Sequence, residues 1–311
     1  MERRMLGRTG IAVTDVGLGC WQIGGVSFRD GSPSGWSGVT TSESIEMLKE
    51  AWNEGVNVFD TADAYGRGKS EVLVGMGLAE HKTEPVIATK VGNSLAAPGQ
   101  DFSEPYIRGA LDASLTRLER EYVDIYMLHG PPVDLMTDDL FALMADLKGS
   151  GKVRSWGVSI GANPDEGVRA VEGGAEVIQL VYNIIRQDIG NVVIPLAVEK
   201  GVGIIARVPL ASGWLTGKYN ADSKFPSNEA RSTTFSAAVI EDAAAQVAQL
   251  DFLLDEADSM VDAALRFILS NPGVSTVIPG AKSRAQLRQN ISSSGKKLSE
   301  SALEKVRELF G

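Results

Sequence analysis

Eight short apolar runs, each followed by a stretch of helical periodicity or a loop, constrain this chain more than any other feature of its sequence. The runs occupy 16–19, 57–60, 86–90, 123–128, 153–159, 177–182, 202–207 and 275–280. They are almost continuously apolar, as strands are when helices cover both faces of a parallel sheet. Strands that alternate with helices along 311 residues predict one α/β domain, residues 1–311, folded as a (β/α)8 TIM barrel.

Two segments fall outside this repeat. Residues 3–13 predict an N-terminal β-hairpin that turns at Arg8-Thr9-Gly10 and plugs the floor of the barrel. Residues 211–236, rich in Ser, Thr and Gly, predict a long loop after strand seven, of the kind that serves as a lid or a binding loop. Helical patterns at 42–55, 104–120 and 138–151 have candidate N-caps at Thr41 or Ser42, at Ser103 and at Thr137.

Charge and composition exclude several classes of protein. The net charge of −10 argues against nucleic acid and anionic membrane surfaces as partners, because both attract basic patches. The single cysteine rules out an intramolecular disulfide, and two histidines are too few for an ordinary zinc site. There is no apolar run of 18 residues and no signal-peptide core, so we expect a cytoplasmic protein, monomeric or weakly homo-oligomeric.

One motif resembles that of a hydrolase, but a residue that hydrolase catalysis requires is missing. GVSIG (157–161) matches the G-x-S-x-G turn of α/β-hydrolases, whose triad needs a histidine after the serine. Both His81 and His129 precede Ser159, so the general base is missing. The first strand is not followed by G-x-G-x-x-G either, so any dinucleotide binds in a different way from the Rossmann fold.

Four chemically suited side chains follow three successive strands: Asp60, Tyr65, Lys90 and His129. The carboxyl ends of barrel strands open on the face where such folds keep their active sites, so we expect the four to meet there. An ammonium beside a phenol stabilises its phenolate, and we expect Lys90 to lower the pKa of Tyr65 so that it transfers a proton. Asp60 would hold Lys90, and His129 would orient a carbonyl.

The segments around these residues resemble the aldo-keto reductase family. The resemblance rests on GVNVFDTADAYGRGKSEVLVG (55–75), IATKVG (87–92) and YMLHGP (126–131), which occur together and in this order. It implies a (β/α)8 barrel, an extended nicotinamide dinucleotide and a tyrosine acid. It also assigns Asp60, Tyr65, Lys90 and His129 to the catalytic tetrad.

The same resemblance assigns a set of cofactor-binding residues. PLASGWLTGKY (209–219) is similar to the loop that covers the pyrophosphate, and IPGAKSRAQLRQN (278–290) to the segment that holds the adenosine end. The basic residues of the second segment favour NADPH over NADH. The residues carried over are Ser159, Gln179, Arg207, Leu210, Ser212, Gly213, Leu215, Gly217, Lys218, Gly280, Lys282, Gln286 and Asn290.

Two positions depart from the family pattern. Ile160 stands where an asparagine usually contacts the nicotinamide amide, and Arg207 stands where many members stack an aromatic ring. A guanidinium beside the ring disfavours the oxidised, cationic nicotinamide, so we expect a bias toward the reduced cofactor.

Trp21 and Trp36 are the expected substrate-lining residues, and their aromatic walls favour an aldehyde or ketone of moderate size. The function predicted from the sequence is therefore NAD(P)H-dependent reduction of a small carbonyl compound, with Tyr65 as general acid. Two alternatives stay open. One is a sugar or polyol dehydrogenase running in the oxidative direction, and the other is a non-catalytic redox sensor like the β subunits of potassium channels.

Overall fold

The chain forms a barrel of parallel strands wrapped by helices, as the alternating sequence pattern predicts. A computed structural model describes residues 1–29, 31–95 and 98–311, with the backbone alone at Arg29. The strands are β1 (Arg3–Met5), β2 (Ala12–Thr14), β3 (Leu18–Gly19), β4 (Val26–Arg29), β5 (Ser32–Gly35), β6 (Val58–Asp60), β7 (Val86–Val91), β8 (Val123–His129), β9 (Val153–Ser159), β10 (Val177–Val181), β11 (Gly203–Arg207) and β12 (Thr276–Val277).

The helices follow the strands and pack around them. They are α1 (Thr41–Asn53), α2 (Lys69–Gly77), α3 (Glu104–Leu118), α4 (Asp138–Gly149), α5 (Pro164–Glu172), α6 (Asp188–Glu199), α7 (Arg231–Thr234), α8 (Ala237–Ala248), α9 (Met260–Ser270), α10 (Arg284–Ile291) and α11 (Glu300–Phe310). In the part of the chain that the structure describes, no helix combines the length and the apolar character needed to cross a bilayer.

Eight strands pair in parallel, in the order β3, β6, β7, β8, β9, β10, β11, β12. The ring closes through bridges from Val16 to Val277 and from Gly19 to Gly280. Near this seam the Asp15 carboxylate accepts hydrogen bonds from Ser294 Oγ (2.6 Å) and the Gly295 amide (2.7 Å). The two ends of the chain therefore join where the barrel closes.

The N-terminal hairpin lies against the amino ends of the barrel strands, as the sequence predicts. Strands β1 and β2 pair antiparallel, and Leu6, Ile11 and Val13 are buried. These side chains form one apolar cluster with barrel residues that include Val58 and Val177. Burying each large apolar side chain contributes about 1.5–3 kcal/mol, so the hairpin seals the floor of the barrel.

The N-cap of α1 lies one residue before Thr41 and two before Ser42, the caps expected from the sequence. Thr40 is the N-cap: its hydroxyl accepts from the Glu43 amide (3.3 Å), and Glu43 Oε2 accepts from the Thr40 amide (2.9 Å). This reciprocal capping box satisfies two amides that the helix leaves free, which Thr41 or Ser42 would not do. The expected cap Thr137 is confirmed by its bond from the Leu140 amide (3.2 Å), whereas Ser103 flanks α3 with no side-chain cap bond in the described chain.

Two pieces of structure were absent from the sequence prediction. Strands β4 and β5 form a hairpin after the first barrel strand. Val26 and Phe28 alternate with polar residues in β4, but the run has only four residues and β5 is Ser-Pro-Ser-Gly, so the strand signal is weak. The long loop after β11 is present, but it carries a 3₁₀ segment at Ala211–Thr216 and the short helix α7.

The hairpin at the barrel floor depends on Gly7, and this gives a test. A Cβ at Gly7 would lie 2.3 Å from the Gly203 nitrogen, and its φ of +52° disfavours other residues. We expect Gly7→Ala to reduce the free energy of unfolding by about 2–4 kcal/mol, through overpacking and backbone strain. Denaturant unfolding, followed by circular dichroism, measures the change.

Gly10→Ala is the matched control. Gly10 also has a positive φ (+74°), but an added Cβ there would meet no described heavy atom within 4 Å. Its expected cost is about 1 kcal/mol, from backbone strain alone. Equal losses in the two variants would contradict the packing argument.

Candidate active site

The topology brings Asp60, Tyr65, Lys90 and His129 to one end of the barrel. Asp60 and His129 are the last residues of β6 and β8, Lys90 is the penultimate residue of β7, and Tyr65 lies in the loop after β6. These strands are neighbours in the sheet, and all point the same way. Their carboxyl ends therefore converge as the sequence predicts.

The Lys90 ammonium is the centre of this group. Its Nζ donates to Asp60 Oδ1 (2.6 Å), to the Thr61 carbonyl (2.8 Å) and to the Tyr65 hydroxyl (3.3 Å). An ammonium has three protons, and each has an acceptor here. The side chains of Lys90 and Asp60 are 0% and 4% exposed, so the ion pair works in a medium of low dielectric constant.

The charge balance around Tyr65 differs from the sequence expectation. Burial raises the pKa of the Tyr65 phenol, and the opposing effect of Lys90 leaves it above the ordinary value. Burial acts to lower the pKa of Lys90, but Asp60 and Tyr65 together raise it. At neutral pH the pair is therefore a charged ammonium beside a protonated phenol.

A second chain of hydrogen bonds reaches Asp60 from the opposite side of the barrel. Gln179 Nε2 donates to Asp60 Oδ2 (2.6 Å), and Ser159 Oγ donates to Gln179 Oε1 (2.9 Å). All three side chains are buried. Gln179 and Ser159, the two residues expected at the nicotinamide amide, are thus linked to the ion pair, Gln179 directly and Ser159 through Gln179.

A cleft of about 380 Å³ runs from the Tyr65 and His129 side chains toward the start of α10. Among the predicted cofactor residues, those that line it are Ser159, Gln179, Arg207, Leu210, Ser212, Gly213, Lys218, Gly280, Lys282, Gln286 and Asn290. Leu215 and Gly217 do not line the cleft as the structure describes it, and Leu215 packs in the core.

The cleft has features that fit an extended dinucleotide. Three buried polar atoms of cleft-lining residues have no hydrogen-bond partner within the described chain: Gln22 Oε1, Trp36 Nε1 and Arg207 Nε. Unpartnered buried polar groups are costly, and a polar ligand would satisfy them. Lys218 and Lys282 add positive charge for phosphate groups.

Arg207 is hydrogen-bonded to Ile160, the other residue that departs from the family pattern. Its Nη2 donates to the Ile160 carbonyl (2.8 Å), and both residues line the cleft. Burial lowers the pKa of the Arg207 guanidinium, although the Tyr65 and Asp60 side chains oppose this. The guanidinium therefore lies close to the tetrad.

The loop after β11 is tied across the cleft by Glu229. Its carboxylate accepts from Arg231 Nε (3.1 Å), Lys282 Nζ (3.0 Å) and Ser37 Oγ (2.7 Å). Burial acts to raise the pKa of Glu229, but these hydrogen bonds lower it to about 2. We name these four residues the Glu229 clamp. Its ion pair to Lys282 spans 53 residues and its hydrogen bond from Ser37 spans 192, so the clamp has no signal in local sequence.

Trp36 lies under this clamp rather than among the substrate-facing residues. Arg231 Cζ is 4.6 Å and Lys282 Nζ is 4.9 Å from the Trp36 ring centre. The indole lines the cofactor cleft, whereas Trp21 lines both this cleft and a second cavity. The structure therefore brings Trp21, and not Trp36, beside the expected substrate space.

That second cavity, of about 400 Å³, opens on the other side of Tyr65 and His129. The two rings meet edge to face with centres 5.9 Å apart, and the Trp21 ring centre is 6.0 Å from that of Tyr65. The three rings form the wall common to both spaces. A group held in the cleft can thus reach a molecule in the cavity only beside the Tyr65 and His129 side chains.

Comparison with known proteins agrees with this geometry. The model of the aldo/keto reductase family matches residues 15–310, and the chain belongs to that family. It is 30% identical to the uncharacterized oxidoreductase YqkF of Bacillus subtilis over 297 residues, 94% of this chain and 90% of the relative. It is also 30% identical to the NADH-specific methylglyoxal reductase of Escherichia coli over 330 residues, 99% and 98% of the two chains.

A solved structure supports the same assignment. The glycerol dehydrogenase AKR11B4 of Gluconobacter oxydans superimposes with a TM-score of 0.83 at 26% identity, covering 99% of this chain and 94% of the other. Family membership makes the protein an oxidoreductase that uses a nicotinamide cofactor and a small-molecule substrate. The (β/α)8 barrel predicted from the sequence is confirmed.

Asp63 is a buried acid near the site that the sequence analysis did not single out. It is 1% exposed, and both of its carboxylate oxygens are buried. Burial raises the pKa of Asp63 to about 7, Glu71 adds to the increase, and Arg117 opposes it. The folded protein therefore keeps Asp63 protonated at pH values where the unfolded chain ionises it.

This difference predicts that Asp63→Asn stabilises the protein in alkaline solution. Between about pH 4 and pH 7 the folded state binds the extra proton, so wild-type stability falls as pH rises, and it levels off above pH 7. The amide removes this loss, whose upper bound is on the order of 4 kcal/mol. We expect a higher melting temperature for the variant at pH 8 and no gain at pH 3.5, with exposed Asp134→Asn as control. A gain independent of pH would contradict the explanation.

Proposed function

We propose that this protein reduces an aldehyde or ketone to an alcohol with NAD(P)H, using Tyr65 as the general acid. The observation that carries the proposal is the Lys90 ammonium, bonded to both Asp60 and the Tyr65 hydroxyl at the wall between cleft and cavity. When bound, the nicotinamide supplies hydride to the carbonyl carbon. The side chains described here supply and control the proton for the carbonyl oxygen.

Tyr65 starts the reaction protonated, because burial holds its pKa above the ordinary value. As negative charge develops on the carbonyl oxygen, the phenol donates its proton, and the adjacent ammonium stabilises the phenolate that remains. Asp60 keeps Lys90 charged and in place. His129 lies edge-on to Tyr65 and orients the carbonyl oxygen toward the phenol.

NADPH is the cofactor that we propose as preferred, because Lys282 lines the far end of the cleft. The other two cations of that segment contribute less than the sequence led us to expect. Arg284 and Arg288 both pair with Glu50, at 2.6 and 2.7 Å, and neither lines the described cleft. Lys282 itself is shared with Glu229, so we expect a modest preference.

The protein's setting is also part of the proposal. A cytoplasmic enzyme that acts as one barrel domain, alone or in a weak homo-oligomer, agrees with its net charge of −10 and its single buried cysteine. We propose no nucleic-acid partner, because acidic proteins are repelled by phosphate backbones.

The direct test is Tyr65→Phe. Removing the hydroxyl removes the proton donor, and we expect kcat for a panel of aldehydes to fall at least ~100-fold. Dissociation constants for NADPH and NADH, measured by fluorescence titration, should change less than about threefold, because the phenol is proposed to act on the substrate.

Tyr122→Phe, a substitution remote from the cleft and the cavity, is the control and should keep full activity. Unchanged turnover in Tyr65→Phe would refute the proposed role. Tight cofactor binding by the wild type without turnover of any carbonyl would favour a non-catalytic sensor instead.

Arg207 gives a second prediction. Its positive charge beside the nicotinamide should favour NADPH over the cationic NADP, and Arg207→Leu should bring the two dissociation constants closer by severalfold. Lys218→Met, which removes a cleft cation on the loop after β11, should weaken both forms equally. Equilibrium titration of each variant with NADPH and with NADP measures these dissociation constants. An unchanged ratio of the two constants in Arg207→Leu would refute the hypothesis.

Oxidation of a polyol is the second candidate function, favoured by the likeness to a glycerol dehydrogenase. The same residues serve both directions, because a deprotonated Tyr65 accepts the proton that it donates in reduction. Comparing rates of NADP reduction with polyols and of NADPH oxidation with the matching aldehydes, across pH 6–10, separates the two.

A further inference from the structure

The second cavity has two unlike walls. Trp21, Phe28 and Leu95 give it apolar surface, while Arg67 and Asn93 bring polar groups to it. It shares Tyr65 and His129 with the cofactor cleft, so a carbonyl compound bound there has its reacting end at these two side chains. The polar residues then face the remainder of the molecule.

Asn93 is unusual among the polar residues of this cavity. It is 5% exposed, and its Oδ1 is buried with no hydrogen-bond partner in the described chain. Its backbone carbonyl is already taken by the Tyr106 hydroxyl (3.3 Å). A buried amide oxygen left without a donor is destabilising, so its place at a cavity wall indicates a ligand that supplies the donor.

Arg67 is fixed at the same cavity by its backbone and by one hydrogen bond. It has a φ of 55° between Gly66 and Gly68, both of which also have positive φ. A non-glycine residue in this conformation carries strain, which is commonly found at functional sites. Its Nη2 donates to the Leu95 carbonyl (2.7 Å), which leaves the other guanidinium protons to bind an oxygen acceptor.

We propose that this cavity selects carbonyl compounds with a hydroxyl group close to the carbonyl, and that Asn93 is the residue that recognises the hydroxyl. The inference rests on the proposed reductase function. A hydroxyl donates to Asn93 Oδ1 and accepts from Arg67, whereas a carboxylate or phosphate has no proton for the amide oxygen. The product is a vicinal or 1,3-diol, formed as hydride adds to the carbonyl carbon and Tyr65 gives its proton to the oxygen.

The test compares glyceraldehyde with propanal, which has the same carbon chain and no hydroxyl. Wild-type kcat/KM should be at least ~10-fold higher for glyceraldehyde, since one hydrogen bond contributes about 1.5 kcal/mol. Asn93→Leu keeps the side-chain size and removes the amide. It should lower kcat/KM for glyceraldehyde about tenfold. The kcat/KM for propanal and the dissociation constant of NADPH should stay unchanged.

Thr276→Val is the matched control, because Thr276 Oγ1 is also buried without a partner in the described chain but lies away from both spaces. It should leave the substrate preference as in the wild type. Titration calorimetry with glycerol, compared with 1-propanol, adds a readout of binding that does not depend on turnover.

The outcomes separate this inference from the proposed function. Equal losses for both aldehydes in Asn93→Leu, or no wild-type preference for glyceraldehyde, would overturn the role of Asn93 while the reductase function stands. If the wild type turns over neither aldehyde, the proposed function fails, and the glycerol titration still decides. Glycerol affinity lost only in Asn93→Leu supports hydroxyl recognition, and equal affinity in wild type and variant refutes it.

Discussion

The buried ion pair between Lys90 and Asp60 is the interaction on which the rest of this site depends. An ammonium and a carboxylate removed from water are costly unless each remaining proton and lone pair is satisfied. The structure meets that condition with the Thr61 carbonyl and the Tyr65 hydroxyl on one side, and with the Gln179 amide on the other. The pair therefore fixes Tyr65 in place and links residues from opposite sides of the barrel.

This arrangement divides the mouth of the barrel into two spaces with one common wall. More cationic side chains line the cleft than line the cavity, and the Glu229 clamp crosses the cleft. The cavity beyond Tyr65 and His129 combines aromatic and neutral polar surface with the Arg67 side chain. The cationic side chains of the cleft suit the phosphate groups that the proposed function requires there.

Sequence reasoning reached the barrel and the tetrad because both depend on local signals. Apolar runs of strand length place Asp60, Lys90 and His129 at strand ends, and parallel strands put those ends together. It did not reach Asn93, Arg67 or Glu229. The Glu229 clamp joins loops distant in sequence, and a lone Asn or Arg in a loop carries no periodic signal.

The same limit explains the smaller errors. The β4–β5 hairpin offers only two alternating apolar residues, Val26 and Phe28. Leu215 turns into the core because the loop that contains it coils as a 3₁₀ segment. The pKa of Tyr65 was misjudged because the sequence shows the adjacent lysine but not the burial that outweighs it. A sequence also does not show which of two adjoining spaces a ring enters; in the structure Trp36 lines the cleft, and Trp21 lines both spaces.

The seam of the barrel has a consequence for how the chain is made. Its strands β3 and β12 are two residues long, and the partner of Val16 is Val277, near the other end of the chain. Asp15 finds its hydrogen-bond donors later still, at Ser294 and Gly295. On a ribosome, then, the first strand emerges early, and its open edge stays uncovered until β12 has been made. The ring closes only after the segment that contains β12, Ser294 and Gly295 has left the ribosome.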